Sequence, residues 1–379
     1  MRSFVQTALL AAGLVLVCAA TAGAQSFTFA TPSDDRWHYP FNFTPGVRAT
    51  GSCFGAAAIW PFNDRDGCVV IAWDTSAQIT PGLGPDAYDI QSITITLTNQ
   101  PNAFWPIDLS TDEWFTYDLN GDEVINADGF PRGHPQDTDG ESSDPDDGRP
   151  IELFGAGFGP VYTYENWVET SIYVGSTNLT SMPRDPFPFV FQDVTGAMLH
   201  VEDSVKGLHN EGLELPVAQF TPTPWAIGAP LAYTPAQQPI AFDVTFELDL
   251  ELSDGLVRSY FQEQLDGGRL FVYVTSLREV AVMGSPTDVP SFFMKEALSL
   301  NPVPAGAKAP SLTLVLTDAS PGDFDADDDV DLLDAAEFMN CFAGADVPAG
   351  SGCAAGAFDG DSDVDLADHA GFAAAMDGP

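Results

Sequence analysis

The sequence predicts a mainly β protein, with one large β-sandwich domain followed by a small α-helical module. Three observations carry that prediction. Short β-branched and aromatic runs recur from Gln25 to Thr317, with proline and glycine punctuating the gaps between them. Past Asp318-Ala319-Ser320-Pro321 the chain turns abruptly to Asp, Ala and Gly, with no Lys or Arg. Within that acidic stretch a single pattern of alternating aspartates occurs twice.

At the N-terminus, Met1-Arg2 supplies a positive charge, an apolar run from Ala8 to Ala20 follows, and Ala22-Gly23-Ala24 fits a small-residue cleavage site. Residues 1–24 therefore read as a secretory signal peptide cleaved after Ala24, and the mature chain as secreted. The apolar run is shorter than the roughly 20 residues a bilayer span needs. Val17 before Cys18 stands where a lipidation site would carry a small residue.

Residues 25–318 form the β domain. Val69-Val70-Ile71-Ala72-Trp73 is a continuous apolar run, as expected of a buried strand, and Ile90–Leu97 alternates apolar with polar residues, as expected of a half-buried one. Further strands are expected over Tyr162–Val174, Phe187–Val201, Ile240–Leu252, Leu270–Ser276, Ser291–Leu300 and Leu312–Leu316. The repeated turn signals favour a sandwich over βαβ units. One helix interrupts the strands. Val257, Tyr260, Phe261 and Leu265 share a face at helical spacing, and Asp266-Gly267-Gly268 closes it. Between Asp108 and Asp147 lies a long acidic loop, a length that in a compact domain is either functional or unstructured. Trp73 and Phe271 read as core, whereas Trp105, Trp114 and Tyr117 beside the acidic loop could offer flat rings to a sugar.

The formal charge of −42 excludes nucleic acid as a natural partner, because phosphate recognition needs clustered Lys and Arg. It favours divalent cations, which relieve self-repulsion. Removing Cys18 with the signal peptide leaves Cys53, Cys68, Cys341 and Cys353, an even number in an exported chain. Three connectivities are open, with the local pairs Cys53–Cys68 and Cys341–Cys353 favoured.

The β domain also resembles a family. Phe54-Gly55, Arg65-Asp66, Val70-Ile71-Ala72-Trp73-Asp74, Ile79-Thr80-Pro81-Gly82-Leu83 and Ile93-Thr94-Ile95-Thr96-Leu97 resemble the opening of DNRLRE-type, carbohydrate-binding-module-like jelly rolls. Phe292-Phe293, Glu296 and Pro310–Leu316 resemble their closing strands, while the segment from about Gln100 to Gln238 has no counterpart. The resemblance implies a jelly-roll-like, non-catalytic sandwich that binds or displays glycans.

The tail, residues 319–379, carries the chemistry. Calcium prefers six to eight oxygen ligands, which a flexible loop supplies from alternate positions. In the first copy Asp323, Asp325 and Asp327 fill positions 1, 3 and 5, and Asp329 at position 7 offers its carbonyl. Asp331 is at position 9, and Asp334 closes the shell at position 12 and opens a helix over Ala335–Phe342. In the second copy Asp359 and Asp361 occupy positions 3 and 5, Asp363 offers its backbone, Asp365 is at position 9 and Asp368 closes. Val330 and Val364 match at position 8. This duplication, offset by 34 residues, resembles a type I dockerin repeat, a tandem EF-hand module that binds calcium and docks on a cohesin-like protein. Departures from the pattern are Ala357 at position 1 of the second loop, Asp328 and Ser362 where glycine is usual, and Leu332-Leu333 and Leu366-Ala367 in place of a Ser-Thr pair. They predict a weaker second site and leave cohesin recognition in doubt.

A third candidate loop lies in the acidic insertion: Asp118, Asn120, Asp122 and Asn126 fit the same register, but position 12 is Gly129. No catalytic constellation is evident. The histidines (His38, His134, His200, His209, His369) are scattered, with neither H-x-x-x-H nor G-x-S-x-G. The expected function is a secreted calcium-binding protein whose sandwich binds or builds and whose tail attaches it to an extracellular assembly. The alternative is a polysaccharide-degrading enzyme delivered by the same tail.

Overall fold

The computed structural model describes residues 24–379 apart from 56–66, 102–104, 106, 112–148, 175–183, 193–194, 205–207, 210–212, 215–221, 231–239, 277, 279–288, 318–321, 325–329, 346, 348–352, 359–362 and 377–379. In chain order the strands are β1 (Gln25–Phe29), β2 (Asp34–His38), β3 (Thr50–Ser52), β4 (Cys68–Asp74), β5 (Asp89–Asn99), β6 (Glu152–Gly157), β7 (Phe187–Phe191) and β8 (Met198–His200). They continue with β9 (Leu208–His209), β10 (Leu213–Glu214), β11 (Ala226–Ile227), β12 (Ala229–Pro230), β13 (Phe242–Glu247), β14 (Arg269–Thr275), β15 (Ser291–Phe293) and β16 (Ser311–Thr317). The helices are α1 (Leu256–Asp266), α2 (Leu332–Cys341) and α3 (His369–Ala375).

The protein is mainly β, built on two antiparallel sheets. One runs β1-β16-β5-β13-β12, with β15 bonded to β5 and carrying β3; the other runs β2-β4-β14-β6-β7-β8, with β11 on β6. The alternation read in Ile90–Leu97 is a true half-buried strand. Ile90, Ile93, Ile95 and Leu97 of β5 enter the shared core, where Leu312, Leu314 and Leu316 of β16 and Phe242, Val244 and Phe246 of β13 meet them. A register shift between Val315 and Leu316 sets Leu316 opposite Ile90 and keeps the apolar side chains inward.

The unbroken apolar run of β4 has a different cause. Val69, Ile71 and Trp73 face the core between the sheets. Cys68, Val70 and Ala72 face outward, under a second apolar layer that includes Trp167, Phe271 and Tyr273, with Phe158, Tyr162 and Tyr164 packed on it. A strand covered on both faces has no polar side to show. Trp73 and Phe271 are core, as expected.

That outer layer corrects one expected strand. Residues 162–174 are turns, joined to a β-ladder only by the Val174–Asp185 bridge. The Asp185 carboxylate accepts from the backbone N–H groups of Gly159, Val161 and Tyr162, so this stretch satisfies its donors locally. Its apolar residues cover the sheet from outside. The expected strand over Phe187–Val201 divides into β7 and β8, and that over Ser291–Leu300 stops at Phe293, followed by a 3-10 turn at Lys295–Ser299.

The Cys53–Cys68 disulfide is a second correction. Both thiols are buried, and neither is in a disulfide. Cys53 lies in the core between the sheets and Cys68 in the layer outside the second sheet, so the two point to opposite sides. Burial pushes the Cys53 thiol well above its ordinary range.

Helix α1 buries Val257, Tyr260, Phe261 and Leu265 as expected, and Gln264 with them. It lies against β14 and β5, and Gly268, at φ 75°, turns the chain back into β14. Among the described residues, no helix is long and apolar enough to cross a membrane.

The C-terminal segment has its own small core of Val330, Phe338, Cys341, Cys353, Val364 and Phe372, with Phe324 and Phe358 packed against it. The Cys341–Cys353 disulfide forms as expected and ties the end of α2 to the connecting loop.

Candidate metal centre

Two halves of the C-terminal segment repeat the same pair of carboxylate–backbone hydrogen bonds, although the helices they lead into start at different places, α2 at Leu332 and α3 at His369. In the first half, Asp331 caps α2 by accepting from Leu333 N at 2.6 Å, and Asp334 Oδ2 accepts from Asp331 N at 2.8 Å. This is a reciprocal capping box. In the second half, Asp365 accepts from Ala367 N at 2.6 Å and Asp368 Oδ2 from Asp365 N at 2.8 Å. The two closing acids, Asp334 and Asp368, are fully buried. An ionisable group is rarely buried without a balancing charge or hydrogen bonds.

The apolar residues repeat at the same offset. Phe338 and Phe372 stack at 4.4 Å and 18° between the halves, Val330 and Val364 are both buried, and Phe324 and Phe358 both contact the Phe372 ring. Sequence reasoning caught the valines but not the Phe338–Phe372 pair. The 34-residue offset that matched the aspartates would have found it. Backbone bonds join the halves as well, with Gly322 N donating to Ala355 O and Ala343 N to Val364 O.

Asp363, Asp365 and Asp368 each place one carboxylate oxygen within 4.8 Å of the others. All three are hard oxygen donors of the kind that group-2 cations prefer. Asp363 differs from its expected part. At position 7 it was expected to lend only its carbonyl, yet its carboxylate is buried and joins the cluster. In the first half Asp323 is buried beside Phe324, whose N–H donates to Asp334 Oδ1 at 2.6 Å. Asp325, Asp327, Asp329, Asp359 and Asp361 lie outside the described residues, as does the whole third loop with Asp118, Asn120, Asp122 and Asn126.

Of the three aromatics read as sugar-facing, Trp114 and Tyr117 lie outside the described residues. Trp105 is 3% exposed and packs against Phe242 in the core, so its ring faces no solvent. A ring that does face a cleft is Phe191, stacked 6.0 Å from Trp225 at 7°. That cleft, about 590 Å³, is rimmed by Gln192, Thr223, Glu251 and Asp254.

No family model matches the chain, and no curated protein matches it either.

Proposed function

We propose that this is a secreted calcium-binding protein in which a non-catalytic β-sandwich is attached to an extracellular assembly through a dockerin-like, tandem EF-hand tail. One observation supports this reading above the rest: Asp363, Asp365 and Asp368 converge within 4.8 Å, and the hydrogen bonds that orient Asp365 and Asp368 recur at Asp331 and Asp334. A duplicated arrangement of oxygen donors, each half leading directly into a helix, suits an ion that organises two helices at once. Calcium neutralises part of a charge of −42 where it is densest.

The second loop lacks a donor at position 1, where Ala357 stands, and the Asp363 carboxylate partly replaces it. The first loop is therefore the tighter site. Leu332, Leu333 and Leu366, exposed at 72%, 64% and 76%, stand at the positions through which dockerin-type modules meet a partner. They suit an apolar contact rather than the hydroxyl-reading one of a Ser-Thr pair. A cohesin-like protein is the partner class this reading names, and a glycan is the ligand class it names for the jelly-roll-like sandwich.

The test is a calcium titration of the full chain followed by calorimetry and circular dichroism. Two binding events of unequal affinity are expected, with a gain of helix. Asp334→Ala should remove the tighter event and Asp368→Ala the weaker. A tail with the same spectrum in excess chelator and in millimolar calcium would sink the reading.

A further inference from the structure

A second group of acids lies in the sandwich, far along the sequence from the tail. Asp35 of β2, Glu169 of the turns that cover the second sheet, and Glu296 of the 3-10 turn after β15 each place one carboxylate oxygen within 4.8 Å of the others. Three chain segments, separated by more than a hundred residues each, meet there. Backbone bonds hold them in place: Asp35 N donates to Glu169 Oε2 at 3.1 Å, and Lys295 N donates to Asp35 Oδ2 at 2.7 Å.

Asp35 is only 1% exposed, and its Oδ1 accepts no hydrogen bond although it is buried in the cluster. Lys295 Nζ pairs with Glu169, lies 3.9 Å from Glu296 Oε1, and donates to Ser33 O at 2.6 Å. Arg269 is engaged with Asp34, whose Oδ1 accepts from Glu169 N. A single ammonium therefore faces three carboxylates.

We propose that Asp35, Glu169 and Glu296 form a second divalent-cation site, of calcium type, that clamps β2, the covering turns and the turn after β15 together. The donors are all hard oxygens, they come from three independent segments, and one of them is a buried oxygen with no donor, as a cation ligand requires. Lys295, 19% exposed, lies at the rim and can yield Glu169 to the ion by moving toward solvent. The site belongs to the sandwich and does not depend on the tail.

Native mass spectrometry of the full chain in calcium tests it. Asp35→Asn, which keeps the shape of the protonated acid, should carry one ion fewer than the parent. A chain with Asp334→Ala and Asp368→Ala should retain the sandwich ion while losing those of the tail. Lys295→Gln removes the competing ammonium, so its melting temperature should fall in chelator and recover in calcium by more than the parent's rises. Equal ion counts in parent and Asp35→Asn, or a Lys295→Gln defect that calcium leaves uncorrected, would overturn the proposal and reduce the cluster to an ion pair with a shared proton. A parent chain that carries the sandwich ion but no tail ions would count against the tail reading and leave this one standing.

Discussion

His38 shows how one buried side chain can set a pH response. Its ring is fully buried between Tyr173 at 4.5 Å and Tyr273 at 6.0 Å, and neither ring nitrogen has a hydrogen-bond partner. Burial first, then the charges of Arg36 and Arg184, hold its pKa well below the ordinary 6.5. The folded chain therefore keeps His38 neutral while the unfolded chain protonates it below about 6.5. The unfolded state binds the extra proton, so this contribution is complete above that pH and is lost as the pH falls. The limiting slope is about 1.4 kcal/mol per pH unit for one such group. Urea unfolding at pH 7 and pH 5 should show a smaller difference for His38→Phe than for the parent. Gly155 is a second residue with a direct test. A Cβ there would meet the Trp225 ring at 2.3 Å and the Phe189 ring at 2.5 Å, both in the core. Gly155→Ala should lower the stability of the sandwich by about 1–3 kcal/mol, measured as a shift in denaturant midpoint.

At the scale of elements, the tail depends on devices that make up for a small core. The Cys341–Cys353 bridge closes a loop with a sequence separation of 12. In the chain-entropy account a loop of that size is worth about 3 kcal/mol. The double variant Cys341→Ser, Cys353→Ser should lower the tail's calorimetric transition, and on the proposed reading added calcium should restore part of that loss. Helix α3 carries another such device. Gly371 lets α3 approach Phe358, whose Cβ would lie 2.5 Å from an added methyl, whereas the matching position of α2 is Glu337 at the surface. Gly371→Ala should loosen the Phe338–Phe372 stack and lower calcium affinity of the second site, while Glu337→Ala leaves both unchanged. The pair of substitutions separates the two halves of a repeat that is otherwise matched.

For the whole molecule, the governing quantity is a formal charge of −42. Charges this dense repel within the folded chain, and screening by salt acts on all of them alike. Calcium held as proposed would act only where oxygens converge. At matched ionic strength calcium chloride should therefore raise the melting temperature more than sodium chloride does, and excess chelator should reverse only the calcium increment. Equal effects of the two salts would mean that screening alone is at work and that no cluster holds an ion.

What the order of residues determined by itself was local and periodic. The alternation in Ile90–Leu97, the apolar face of Val257–Leu265, the 34-residue offset of the aspartates and the break at Asp318–Pro321 all express rules that operate within one element. These were enough for the mainly β class and for the 34-residue repeat that pairs Asp334 with Asp368. Only the tertiary structure decided which side of a strand is covered, because that depends on segments remote in the chain. Residues 158–174 cross the outside of the second sheet, which turns Tyr162–Val174 from a strand into a cover, and the alternation of β4 sets Cys68 on that outer side, away from Cys53 in the core. Trp105 is buried in the core between the sheets, and Asp35, Glu169 and Glu296 are brought together from three separate segments. No spacing in the sequence encodes that meeting, since each of the three acids is unremarkable among its own neighbours and acquires its chemistry from the other two.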